Sequence, residues 1–340
     1  MERKVDFVRC VVIAAASLAA FAVQAAEPYR VEVSLDSAPD HVRTIAIKRW
    51  AREVEVKAPG KVAILIHHSA SRYKDIDLPA ALKRGDMDIG APGWWQLDAD
   101  VPDFAIPGLP AFYGATRQQV YAVVDGPVGK ALNARIEQAL DVTVFGRWFD
   151  LGHVSTFLTA KPVTTHADLK GLRIRIPGGG ANVNLYRTMG AEPVQVAWPD
   201  VPKALRAGGL DGVQTSYESA RSVNLWGAGI RHGFDDRQTF FQYVPMVSNK
   251  SWRKMPADVR KLLVDCWEET IDANRDAAAA RQAVARAEAA AQGVTLVEAN
   301  PADIAAMRKR LLQTQAALVA ELKVDPALVA QAERALDGKN

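Results

Sequence analysis

From residue 29 the chain alternates, with Val31, Val33 and Leu35 set between Arg30, Glu32 and Ser34, the period-two signature of a half-buried strand. A helical segment follows, in which Ile45, Trp50 and Val54 fall on one face. After the Pro59-Gly60 turn, 61–66 reads as a buried strand, 78–83 as a short helix and 87–91 as a further strand. This β-α-β-α-β order predicts an α/β unit with a largely parallel sheet. Pro102, Pro107 and Pro110 mark a loop-rich stretch, and helical patterns resume over 116–139 with a break at Gly126-Pro127. Residues 142–149 read as another strand.

The alternation then begins again: strand over 172–176, helix over 182–189, strand over 193–197, helix over 201–206 and strand over 210–216. A second α/β unit is therefore expected, with a boundary close to Leu151. From Pro256 the character changes. No Pro or Gly occurs until Gly293, and Val259, Leu262, Leu263, Cys266, Trp267 and Ile271 recur at three- and four-residue spacing. Pro suits a first helical position and Gly a helix end, so the spacing predicts one helix over 256–292. At 1.5 Å per residue it would be roughly 55 Å long, more than a small domain is wide, and it is expected to cross both units. Asn300-Pro301 and Asp325-Pro326 open two more helices as cap-plus-first-turn pairs.

Ahead of all this, Met1-Glu2-Arg3-Lys4 and Arg9 precede an uncharged stretch over 11–23. A basic start, an apolar run of about 7–15 residues and a small-residue site define a secretory signal, and Val23-Gln24-Ala25 supplies that site. Residues 1–25 are expected to be removed on export to the periplasm; a membrane anchor needs about 18 apolar residues, more than this run holds. Export leaves Cys266 as the one thiol, since Cys10 lies in the leader. A disulfide framework and a multi-cysteine zinc site are excluded.

The length of 340 residues suggests two domains or one large one. Lys and Arg number 42 against 39 Asp and Glu, with no basic run, which argues against a nucleic-acid partner. No later stretch is apolar and long enough to span a bilayer.

Enzyme signatures are missing: no His-Glu-x-x-His, no Gly-x-Ser-x-Gly elbow and no phosphate loop occurs. His67 and His68 are neighbours on a strand end and point to opposite faces, so no shared metal site is expected, and no cofactor is implied. Gly178-Gly179-Gly180 lies between a strand and a helix without dinucleotide spacing; it reads either as an anion-accepting helix opening or as a turn needing positive φ. Arg173 and Arg175 share one strand face, which must meet solvent, a partner carboxylate or a ligand anion. Guanidinium holds a carboxylate through two parallel hydrogen bonds. Trp94-Trp95, Trp198 and Tyr217 follow strand ends in both units, where α/β sheets bind ligands, and this favours a cleft between the units.

Several motifs in fixed order resemble one family. They are Asp168-Leu169-Lys170-Gly171-Leu172-Arg173-Ile174-Arg175-Ile176-Pro177, then Gly190-Ala191-Glu192-Pro193-Val194, then Ala204-Leu205-Arg206-Ala207-Gly208-Gly209-Leu210-Asp211-Gly212. Ala58-Pro59-Gly60-Lys61-Val62, Gly85-Asp86-Met87-Asp88-Ile89-Gly90 and Leu109-Pro110-Ala111-Phe112 match in the first unit. The pattern is similar to that of the periplasmic solute-binding proteins of TRAP transporters, the DctP-type receptors for organic acids, across essentially the whole exported chain.

The resemblance implies a two-lobed Venus-flytrap fold of the α/β class, a long helix spanning both lobes, and binding without catalysis. Lobe I would comprise 27–151 plus about 242–275, and lobe II 152–241 plus about 276–340. Arg175 falls on the family's carboxylate clamp, Trp198 on its aromatic pocket position, and Gln214, Thr215 and Tyr217 on polar contacts after the Asp-Gly turn. From the first lobe the matching positions are Asp36, Asp75, Trp94 and Trp95. Many relatives carry a second arginine in the strand entering lobe II. Here that stretch holds His153 and Ser155 instead, the candidates to replace it, so a monocarboxylate with an aromatic or hydroxylated body is expected. The partners implied are the small and large TRAP membrane subunits. A receptor serving another transporter or a sensor kinase is the alternative, and a secreted enzyme would need a nucleophile–base pair that the sequence lacks.

Overall fold

A computed structural model describes residues 27–338; the expected export leader lies outside them. The first five elements follow the hydrophobic pattern: β1 (Tyr29–Ser34), α1 (Val42–Lys57), β2 (Val62–His67), α2 (Leu78–Arg84) and β3 (Ile89–Gly90). β1 pairs in parallel with β2 and with β3. In α1 the buried stripe is Val42, Ala46, Ile47, Trp50 and Val54, with Ile45 at its edge. The proline-rich stretch forms 3-10 turns over 94–112. Thr116 and Gln119 make a reciprocal capping box for α3 (Arg117–Val124). α4 (Pro127–Leu140) starts at Pro127 after Gly126.

The strand expected over 142–149 is two strands, β4 (Val142–Val144) and β5 (Phe149–Leu158). They part at Gly146, where a Cβ would lie 2.1 Å from the Trp267 indole, so only glycine lets the chain pass that close. β6 (Arg173–Ile176), α5 (Gly180–Thr188), β7 (Glu192–Gln195), α6 (Val201–Arg206), β8 (Gly212–Thr215) and α7 (Tyr217–Ser222) then follow the predicted alternation. Three further strands have no counterpart in the sequence reading: β9 (His232–Tyr243), β10 (Met246–Ser248) and, after α8 (Asn249–Trp252) and α9 (Ala257–Ala291), β11 (Thr295–Glu298). α10 (Pro301–Leu322) and α11 (Pro326–Leu336) complete the described chain.

Two sheets result, ordered β2-β1-β3-β10-β4 and β11-β9-β5-β8-β6-β7. Both are mixed, because β10 is antiparallel to β3 and β4, and β5 is antiparallel to β8 and β9. The fold is α/β and two-lobed, with one sheet at the heart of each lobe. β5 runs from the first lobe into the second and β9 runs back antiparallel to it, ending in the first lobe where Tyr243 bridges to Gly93. α9 joins the lobes a second time. Its Trp267 packs against Trp50 at 6.0 Å in the first core, while Ala285 and Ala289 lie in the second. Its 35 residues extend to about 52 Å, and Gly293 ends it at a φ of 80°.

The C-terminal segment does not all return to the second lobe. α10 starts against it through Met307 and Leu311. Leu318 and Val319, then α11 through Leu328, Val329, Ala332 and Leu336, are buried in the first core, with α11 packed on α3 and α4. Among the described residues no helix is long and apolar enough to cross a membrane.

Candidate functional site

A chamber lies between the lobes at the carboxyl ends of the strands, lined from the first lobe by Asp36, His41, Arg43, Asp75, Trp95 and Gln96. Arg175, Pro177, Gln195, Trp198, Gln214 and Thr215 line it from the second, and Leu151, Phe241 and Tyr243 of the connecting strands form its back. Contacts between the lobes ring it. Gln96 Nε2 donates to the Pro177 carbonyl at 2.9 Å, Gly180 N–H to Asp98 at 2.8 Å, and Lys74 pairs with Asp200 at 2.8 Å. On the opposite rim His41 Nε2 lies 2.8 Å from Ser219 Oγ, and Val42 N–H donates to Glu218 at 3.2 Å.

The two buried arginines of the chamber are in different electrostatic states. Arg43, at the start of α1, donates to Asp75 at 2.8 Å, to Asp36, to Ser37 Oγ at 3.2 Å and to the Ala91 carbonyl at 3.1 Å. Its guanidinium lies 4.3 Å from the Tyr243 ring centroid. Burial works against its charge, yet Asp75 and Asp36 hold its pKa above the ordinary value. Asp75 is pushed up to about 6 by burial, with Asp36 adding to the rise and Arg43 opposing it.

Arg175 has no such balance. It is 4% exposed, and its partners are carbonyls: Nε donates to Val196 at 2.9 Å and Nη1 to Gln214 at 3.3 Å. Among the described residues no carboxylate comes within ion-pairing distance of it. Burial lowers its pKa to about 10, and Asp36 and Asp75 offset that only in part. Arg173, two residues away on the same face, is half-exposed and paired with Asp211 at 2.9 Å. The two arginines of the motif thus divide into a surface ion pair and a buried cation with donors to spare. Trp198 sits 5.3 Å from the Arg175 guanidinium, and its Nε1 is buried without a partner, as is Gln214 Oε1.

Asp36, Asp75, Trp95, Arg175, Trp198, Gln214 and Thr215 therefore share the chamber, whereas Trp94, Tyr217, His153 and Ser155 lie outside it. Trp94 is fully buried, its ring packed against Phe241 at 5.5 Å and its Nε1 facing the Phe240 carbonyl at 3.4 Å. It backs Trp95, which stacks on Phe241 at 4.1 Å. Gly93 permits this, because a Cβ there would lie 2.2 Å from the Trp95 ring. Tyr217 follows the Ser216 cap of α7 and turns away, donating to Asp235 at 2.7 Å.

His153 and Ser155 do not replace a second arginine. β5 bulges at Leu151, between Asp150 and Gly152, which breaks strict alternation ahead of His153 and Ser155; the second irregularity, opposite Ser155, is a bulge of β9 over 235–238. Both residues face a separate groove on the hinge side, His153 Nε2 against the Ala115 carbonyl at 2.9 Å and Ser155 donating to Asp235 at 2.6 Å. The second arginine of the chamber is Arg43, from the other lobe and already neutralised. Arg43, His41, Tyr243, Phe241 and Gln195 carried no local signal for this role; their approach is made by the fold. The triple glycine is a turn, with Gly178 and Gly179 at φ 125° and 86°. The helix opening behind it takes the protein's own Asp98. Among the described residues no three metal-ligating side chains converge.

A family model, DctP, described as bacterial extracellular solute-binding protein family 7, matches residues 34–321. An uncharacterized protein y4mM of Sinorhizobium fredii is 28% identical over 190 residues, 56% of this chain, and the match spans only 35% of that longer protein. The C4-dicarboxylate-binding periplasmic protein DctP of Rhodobacter capsulatus is 26% identical over 259 residues, covering 76% of each chain. Among solved structures, the sugar acid binding protein of Advenella mimigardefordensis in complex with galactonate superposes with a TM-score of 0.86 at 16% identity, over 92% of this chain and 99% of that one. That last likeness is one of fold.

Proposed function

The chain belongs to family 7 of the bacterial extracellular solute-binding proteins, and from that premise we propose that it is the periplasmic receptor of a TRAP transporter, binding a small organic acid between its lobes. The observation that carries this reading is Arg175, a buried guanidinium with no carboxylate partner at the centre of the interlobe chamber. Burying an unpaired charge is costly, and an anionic ligand relieves that cost on binding. A ligand carboxylate would accept from the free Arg175 donors and from Trp198 Nε1, while the indole packs on the ligand body. Trp95 and Phe241 would form the apolar wall.

The rim contacts give the closed arrangement its geometry. A ligand that touches Arg175 on one lobe and Trp95 on the other binds the closed state better than the open one and shifts the population toward it. The closed receptor would then present both lobes to the small and large membrane subunits, which release the acid for transport.

A thermal-shift screen of the exported chain against organic acids tests this. Monocarboxylates should raise the melting temperature and their amides should not. A ligand at 100 times its dissociation constant stabilises by about 2.7 kcal/mol. Equal stabilisation by an acid and its neutral amide would contradict the reading.

A further inference from the structure

Gln214 lies at the join between Arg175 and the rest of the chamber. Its backbone carbonyl receives Arg175 Nη1, and its side chain, fully buried, lines the same space. The carboxamide is held in one orientation. Nε2 donates to Asn182 Oδ1 at 3.1 Å and to Gln238 Oε1 at 3.0 Å. Neither acceptor can turn over. Asn182 Nδ2 is committed to the Gly178 carbonyl at 2.8 Å. Gln238 Nε2 is committed to the Asp236 carboxylate at 3.0 Å and to Thr156 Oγ1 at 3.1 Å. The Tyr186 hydroxyl also donates to Gln238 Oε1 at 3.0 Å.

Both branches thus end on an oxygen that accepts only, the Gly178 carbonyl and the Asp236 carboxylate. Asp236 is pinned in turn by the Tyr113 hydroxyl at 2.8 Å. With Nε2 held by the protein, Oε1 is the polar atom Gln214 has left for the chamber, and it is buried without a partner. The Arg175 and Trp198 side of the chamber supplies donors to an anion; Gln214 Oε1 supplies an acceptor beside them.

We propose that Gln214 Oε1 recognises a hydroxyl on the carbon next to the ligand carboxylate, and that Gln238 is the positioning residue that keeps it an acceptor. This rests on Arg175 holding the carboxylate. A 2-hydroxy acid pairs with this oxygen. A 2-deoxy acid leaves it unpaired, and a 2-oxo acid sets acceptor against acceptor, so both lose affinity.

The test holds the body constant and changes only the second carbon: lactate, pyruvate and propionate; mandelate, phenylglyoxylate and phenylacetate; gluconate, 2-oxogluconate and 2-deoxygluconate. Each set is titrated by calorimetry against the wild-type protein, Gln214→Leu and Gln238→Met. In every set that binds, the 2-hydroxy acid should bind at least about tenfold tighter than its two partners. Gln238→Met should reduce that ratio to about twofold while leaving the 2-deoxy acid within about threefold of wild type; a merely structural role would weaken all three acids alike. Binding to wild type with no preference at the second carbon overturns this inference and leaves the carboxylate clamp standing. Silence from all three sets overturns the organic-acid reading itself. The wild-type and Gln214→Leu comparisons decide the matter even if Gln238→Met fails to fold.

Discussion

The same substitution at the two buried arginines should have opposite effects on the ligand-free protein. Arg43→Met leaves Asp36 and Asp75 facing each other in a site where their side chains are 3% and 9% exposed. Removing one partner from a buried ion pair costs about 3–5 kcal/mol, which for a chain this long lowers the melting temperature by about 5–8 °C. Arg175→Met removes a cation that Asp36 and Asp75 balance only in part and that forms no ion pair among the described residues. Its drop from 12.5 to about 10 is worth about 3 kcal/mol against the charged form. Arginine is protonated in the unfolded chain at pH 7, so that cost falls on the folded state and disappears with the charge. Two hydrogen bonds to carbonyls are lost in exchange, at about 1 kcal/mol each. The net is a gain of about 1 kcal/mol, or about 1–2 °C. Differential scanning calorimetry of both variants at pH 7.5 without ligand measures it. Equal losses at both positions would refute the claim that Arg175 is electrostatically unsatisfied and therefore waiting for an anion. Lowering the pH to 5 should shrink the Arg43→Met loss, because Asp75, already pushed up to about 6, takes a proton once the arginine is gone.

Two further outcomes follow from the chamber walls. Burial lowers His41 to about 4, so its neutral form stabilises the fold and that stability is lost as pH falls below 6.5, by about 2 kcal/mol at pH 5. His41→Gln, which keeps a donor toward Ser219, should be less stable than wild type at pH 7.5 and close that gap by pH 5; a gap independent of pH in thermal melts would count against the assignment. Gly93→Ala would drive a methyl group into the Trp95 ring and unstack it from Phe241. Overpacking of this kind costs about 1–3 kcal/mol, and the fluorescence of the chamber tryptophans should change. A crystal structure of the variant with the stack intact would oppose it.

Much of the fold was legible because its punctuation is strong. Pro256 and Gly293 bracket α9, and Gly126-Pro127 separates α3 from α4. β9 escaped the reading for a physical reason. Asp235, Asp236, Arg237 and Gln238 sit together in its middle, a polar run typical of a loop, but the strand bulges there and buries Asp236 and Gln238 in a hydrogen-bonded network. That Arg175 lines the chamber was legible in the motif order around it. Its surroundings were not. Arg43 lies in a helix pattern as an ordinary cation, and its partners Asp36 and Asp75 stand 7 and 32 residues away. Trp94 sits next to Trp95 and Tyr217 two residues after Thr215, both of which meet the chamber, and which residue faces inward is decided by a 3-10 turn and by a helix cap. His153 and Ser155 failed because a bulge in β5 at Leu151 shifts the face on which they fall.

The central claim is that Arg175 holds a ligand carboxylate between the lobes. Calorimetric titration of wild type and Arg175→Met with the organic acid that stabilises the wild-type protein most tests it directly. Truncating one member of a buried charge pair at an interface costs about 2–5 kcal/mol, so the variant should bind about 30-fold to several thousand-fold more weakly. An affinity within about threefold of wild type would contradict it.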